Sequence, residues 1–150
     1  MNIQHLVNMM VDGFTLPTVS PTAEQPKDAA SLTSWAVARC KALRPDKILR
    51  LQQQYSPRRL ICLNTRARQG RSNTNRLDFT RPQNIDAIFI YIYGTLQETP
   101  CDQCRKGRGI FQGCVTLDGL AAGACANCAY SSRGRLCHFH RTLLPSILLS

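Results

Sequence analysis

Six cysteines at fixed spacing constrain this chain more than any other feature. Cys101 and Cys104 form one C-x2-C pair, and Cys125 and Cys128 form a second, with twenty residues between the pairs. Cys114 follows Cys104 after nine residues, and Cys137 follows Cys128 after eight. The segment is therefore C-x2-C-x9-C, a ten-residue spacer, then C-x2-C-x8-C. Two residues between thiolates let one tight turn place both sulfurs about 2.3 Å from a tetrahedral ion, and a second pair closes the shell. The segment is short and rich in glycine, so metal binding would supply much of its folding free energy.

Several ligand sets satisfy this pattern. One is a single four-thiolate site with two spare thiols. Another is a two-zinc cluster in which thiolates are shared among Cys101, Cys104, Cys114, Cys125, Cys128 and Cys137. His138 or His140 could replace a cysteine in a mixed site, although His138 reads rather as a surface residue. Two zinc ions against six thiolates leave a net charge of about −2. Arg105, Lys106, Arg108, Arg133 and Arg135 would neutralise it and could face a phosphate backbone. Zn2+ is the cofactor this layout predicts. A disulfide framework needing no cofactor is the competing reading. A C-x2-C redox pair is disfavoured, because neither pair sits in a β-α-β context. Cys40 and Cys62 lie among apolar neighbours and are expected in the core.

The charge is uneven. The chain carries 19 Lys and Arg against 9 Asp and Glu, a net +10 in 150 residues. Residues 39–81 hold twelve of those basic residues against Asp46 and Asp78, a surplus equal to the whole net charge. Such an imbalance points to a polyanionic partner, foremost nucleic acid. The candidate contacts are Arg66, Arg68 and Arg71 in the basic stretch and Arg105, Lys106 and Arg108 in the cysteine segment. Residues 1–14 show neither a cationic n-region nor an apolar h-region. No apolar run approaches the roughly eighteen residues of a membrane span. The expected compartment is the nucleus or cytoplasm, where closely spaced cysteines serve metal or redox chemistry more often than disulfides. Secretion, a membrane role and a small-molecule substrate are not expected.

The expected fold is small, mainly α and irregular, with a helical N-terminal part and a zinc-stabilised, Gly-rich C-terminal module. Residues 1–27 read as an N-terminal segment and linker, with a short helix over 3–11 and prolines in 15–27. Residues 28–54 read as a helical pair. Asp28 would cap a helix to about Leu43, with Leu32, Trp35, Ala36, Cys40 and Leu43 on one face. Pro45 would stop it, and Asp46 would cap a second helix with Ile48 and Leu51 inward. Residues 55–82 read as a basic flexible arm. Residues 83–141 combine an apolar element with the cysteine module, and 142–150 form an apolar tail. Within 84–97, Ile88, Ile90 and Ile92 with their aromatic neighbours suit a strand, whereas Asn84 and Asp86 as caps, and the length, suit a helix. The helix is the expectation, packed against the cysteine module.

Two resemblances follow from these residues. Cys101-Asp-Gln-Cys104-Arg105-Lys106 and the halved layout of six cysteines resemble the fungal two-zinc, six-cysteine DNA-binding module. That resemblance implies that Cys101 and Cys125 bridge both metals, that the other four cysteines are terminal, and that Arg105, Lys106 and Arg108 contact DNA. Pro100-Cys101-x2-Cys104, Gly109-x-Phe111-x2-Cys114-Val115 and Gly123-Ala124-Cys125-Ala126-Asn127-Cys128-x-Tyr130 are similar to a cysteine-rich domain of unknown function in filamentous fungi. That resemblance covers roughly residues 84–140 and implies no activity.

No carboxylate pair, nucleophile–base set or phosphate-binding loop stands out, and closed thiolate sites are structural, so no enzyme is expected. The leading expectation is a nuclear zinc protein that associates with nucleic acid. The rivals are a zinc-stabilised protein-interaction module presenting Phe111 or Tyr130, and a disulfide-stabilised protein.

Overall fold

A computed structural model describes residues 16–64 and 76–141 of the chain. The expected helix over 3–11, the apolar tail, and Arg66, Arg68 and Arg71 lie outside the described residues. The chain divides into two units, one ending at Ile61 and the other beginning at Cys62. Among the described residues there are five α-helices and one two-stranded sheet. None of these helices is long and apolar enough to cross a membrane.

The N-terminal unit is built on α1 (Ala29–Leu43) and α2 (Pro45–Gln54). Asp28 caps α1 as expected, its Oδ2 accepting the Ser31 N–H at 2.8 Å. That hydrogen bond holds the Asp28 carboxyl below the usual carboxylate range. Leu32, Trp35, Ala36 and Cys40 are buried on one face, but Leu43 is 49% exposed. It occupies the last turn of α1, beyond the part of that face which the unit covers. Pro45 does more than end a helix. It opens α2 at the first turn, where its missing N–H costs nothing. Arg44 occupies the cap position, and Asp46, expected there, sits inside the first turn. Ile48 is buried and Leu51 half-buried.

The proline-bearing segment before α1 is not a free linker. Leu16 is buried. The Ser34 hydroxyl donates to the Pro17 carbonyl, Trp35 Nε1 to the Ala23 carbonyl at 2.9 Å, and Arg39 to the Pro21 carbonyl at 2.8 Å. The Arg39 guanidinium also stands 5.3 Å from the centre of the Trp35 ring. Proline-rich segments lack their own backbone pairing, so their carbonyls are open to side-chain donors from a neighbouring helix.

The C-terminal unit is organised around α3 (Pro82–Tyr93). Every residue from Ala87 to Tyr93 is buried. A helix apolar on all sides must be surrounded, and this explains a composition that also suits a strand. Phe89 and Tyr93 stack at 4.0 Å, four residues apart along the helix. The start differs from expectation. Arg81 takes the cap position and Pro82 the first turn, while Asn84 and Asp86 lie within the helix. Asn84 turns back instead, donating to the Asp78 carbonyl at 2.9 Å. The helix ends at Tyr93, not near residue 97: Gly94 turns to extended backbone and runs so close to other backbone that no larger residue fits there. A Cβ there would lie 2.3 Å from the Thr116 carbonyl oxygen and 2.5 Å from that of Ile90. Beyond Gly94, β1 (Thr95–Leu96) pairs antiparallel with β2 (Val115–Thr116).

Two described stretches within the expected arm of residues 55–82 make defined contacts, one at 62–64 and one at 78–80. Leu63 bridges Phe111 in antiparallel fashion. Asn64 N–H donates to the Ile110 carbonyl at 2.7 Å, and Gln112 N–H to that of Cys62 at 2.8 Å. In the second stretch, Asp78 N–H donates to the Tyr130 hydroxyl at 2.7 Å. Asp78 Oδ1 accepts from the Thr80 hydroxyl and N–H, which lowers its pKa. Cys62, expected in the core, is exposed. Extended backbone alternates its side chains, so with Ile61 buried its neighbour faces outward.

Candidate metal centre

Each C-x2-C pair is carried by a short helix. Cys101 is the cap residue of α4 (Asp102–Arg105), and Cys125 is the cap residue of α5 (Ala126–Tyr130). The third cysteine of each half folds back onto the first. Cys101 N–H donates to Cys114 Sγ at 3.4 Å, and Cys125 N–H donates to Cys137 Sγ at the same distance. The two halves thus repeat one local design, with the same register of N–H and sulfur. Helix α3 packs against α5 and β2, which gives the cysteine segment an apolar base. Phe111 lies in that base, stacked on Tyr91 at 4.5 Å with Tyr130 edge-on at 5.8 Å.

The six sulfurs form two overlapping groups. Cys101, Cys125, Cys128 and Cys137 lie with their sulfurs within 4.8 Å of one another, and so do Cys101, Cys104, Cys114 and Cys125. Cys101 and Cys125 belong to both. Sulfurs about 2.3 Å from one tetrahedral ion stand about 3.8 Å apart. The Cys101–Cys125 and Cys101–Cys128 separations are 3.8 Å, and Cys104–Cys125 is 3.7 Å. These fit thiolates sharing an ion, and the geometry can hold a metal. All eight cysteines are free thiols. Five of the six clustered sulfurs belong to buried residues, and Cys104 is partly exposed. Among the described residues the groups that could hold an ion contain cysteine alone. His138 is exposed, its ring edge-on to Phe139 at 5.2 Å. His140 is buried, and its backbone N–H donates to the Cys137 carbonyl.

Packing six thiols together polarises them. Hydrogen bonds from the Cys114 and Cys125 thiols draw Cys104 down to about 3. Cys114 is pushed up to about 12, chiefly by its bond to Cys104, and Cys125 is raised by the same neighbour. In the other half, hydrogen bonds from Cys125 and Cys128 draw Cys137 down to about 2. Burial raises Cys101. So many thiols in contact cannot all ionise alone. A divalent cation held by these cysteines would favour the thiolate at each of them, its charge taking the place of the protons.

The predicted basic contacts of this segment are on the surface. Arg105, Lys106 and Arg108 are exposed, as are Arg133 and Arg135. Arg105 stands 3.4 Å from Asp102, both well exposed, so that pair holds it only weakly. Arg108 donates to Gln103 at 3.3 Å. Sequence reasoning missed Asn127, the buried amide between Cys125 and Cys128. The signal was present only as a polar residue inside a C-x2-C pair, and such positions are usually solvated.

The fold and this cluster define a small cysteine-rich module able to hold metal. A family model described as a protein of unknown function (DUF3716) matches residues 87–140, a span that includes all six clustered cysteines and most of α3. No curated protein and no solved structure matches the chain.

Proposed function

We propose that residues 101–137 bind two Zn2+ ions through six thiolates, and that the chain is a non-enzymatic nuclear protein that associates with nucleic acid. The observation that carries the metal reading is the sharing of Cys101 and Cys125 between two tetrathiolate groups. Cys104 and Cys114 would complete one ion's shell, and Cys128 and Cys137 the other's. Thiolates fill both shells, which suits zinc and leaves no open position for catalysis. The zinc ions would be structural and would fix the turns that carry Arg105, Lys106 and Arg108.

The nucleic-acid reading is supported by the net +10 and by the exposure of those three residues beside the cluster. Binding to a labelled duplex should weaken steeply as salt rises, because counterion release drives phosphate contacts. Replacing Arg105, Lys106 and Arg108 by glutamine should lower the salt slope by up to about 3, roughly one per lost contact. No binding at low salt would contradict the reading. The protein-interaction reading is less well supported. Phe111 is 1% exposed and so is not presented to a partner, which leaves the half-buried Tyr130, its hydroxyl accepting from Asp78 N–H, as the aromatic that reading would use.

A further inference from the structure

We infer that Asn127 is a positioning residue that builds the Cys104–Cys114 half of the cluster from the opposite half and sets how tightly that half holds its ion. The inference rests on the two-ion reading above and assigns a role to a residue that is not itself a ligand.

Asn127 is 2% exposed and lies in α5, between Cys125 and Cys128. Its side chain reaches across the cluster to the loop joining Cys104 to Cys114. Oδ1 accepts the Phe111 N–H at 2.7 Å. Nδ2 donates to the Phe111 carbonyl at 2.8 Å and to the Gly113 carbonyl at 3.2 Å. It also donates to Cys104 Sγ at 3.4 Å. One amide thus pairs with the loop backbone as a strand neighbour would, and it touches the ligand sulfur itself. On its far side the loop pairs with Leu63 and Asn64, and Asn127 is what ties it to the opposite half of the cluster.

The loop is shaped to receive this side chain. A Cβ at Gly109 would lie 2.4 Å from Asn127 Cγ and from its Oδ1. Gly109 also holds φ at +100°, a conformation that suits glycine. The first half has no equivalent device. Gln103, at the corresponding place between Cys101 and Cys104, is only half-buried and receives Arg108 from the same half. The dependence therefore runs one way. The ion of Cys104 and Cys114 needs Asn127, whereas the ion of Cys128 and Cys137 does not. Residues that orient ligands from outside the metal shell commonly change metal affinity by about 10- to 100-fold.

The test uses the full chain loaded with 113Cd2+ and followed by 113Cd NMR, with Cys114→Ser identifying the resonance of its half. Asn127→Asp keeps an acceptor for Phe111 N–H but turns a carboxylate oxygen toward two carbonyls and the Cys104 sulfur. Asn127→Ala removes the clamp without adding charge. Wild type should show two resonances. In both variants the Cys104–Cys114 resonance should shift or vanish, and that ion should leave to a chelator about 10- to 100-fold faster. The Cys128–Cys137 resonance should persist and shows that the module remains folded. Two unchanged resonances with wild-type release, or loss of both ions together, would overturn the inference. Wild type with fewer than two resonances would instead overturn the two-ion reading and the inference with it.

Discussion

Cys125→Ser is expected to cost the module both of its ions, whereas Cys114→Ser and Cys137→Ser should each cost one. Cys125 is fully buried and belongs to both sulfur groups, while Cys114 and Cys137 belong to one group each. Removing a shared thiolate leaves both shells with three sulfurs and puts a hydroxyl in a buried site. Removing a terminal thiolate leaves the other shell complete. Metal quantification on the purified variants reads this directly: about none for Cys125→Ser and about one per chain for the terminal variants, against two for wild type. Equal losses in all three variants would show that the sulfur groups do not share Cys125. Cys101→Ser should behave as Cys125→Ser does, since it occupies the matching position in the other half.

Chelation is expected to unfold residues 101–137 while leaving the α1–α2 pair folded. The cysteine segment has two α-helices of four and five residues and one strand of two residues, β2. Helices that short do not hold themselves together in water. Structural zinc supplies about 10–16 kcal/mol of apparent binding free energy in small zinc modules at neutral pH, more than a module of this size has in reserve. The N-terminal unit holds no part of the sulfur cluster. Its own core includes Trp35, the single tryptophan of the chain, which is 4% exposed. Hydrogen exchange after chelation should therefore show lost protection across 101–137 and retained protection across 29–54, with Trp35 fluorescence unchanged. Retained protection across 101–137 would show that apolar packing on α3 is enough to fold the module.

The cysteine arrangement was legible in the sequence because its geometry is local. A C-x2-C turn brings two sulfurs together whatever surrounds it, and the doubled spacing announced two halves. Helix α1 was legible for a similar reason: its cap and its buried face follow from Asp28 and from Leu32, Trp35, Ala36 and Cys40 at helical period. What escaped was decided by contacts distant in sequence. The end of α3 falls where Thr116, twenty-two residues away, closely approaches Gly94. The outward turn of Cys62 follows from the burial of Ile61 beside it, whose N–H donates to the Thr33 hydroxyl twenty-eight residues back. The binding of the proline segment to α1 depends on where Trp35 and Arg39 point. Asn127 escaped for the same reason, since its partners are sixteen or more residues back for Phe111 and Cys104. Polar side chains buried by long-range pairing leave no periodic trace.

The metal reading and the role of Asn127 both stand on six thiolates of one module holding two metal ions between them. Native mass spectrometry of the purified full chain, with metal quantification on the same sample, tests it most directly. The account predicts a mass corresponding to two zinc ions per chain, with all eight cysteines reactive toward a thiol reagent once the protein is denatured with a chelator and no reductant. A chain that carries no metal and shows the mass deficit of three disulfides would contradict it, as would a chain that saturates at one ion.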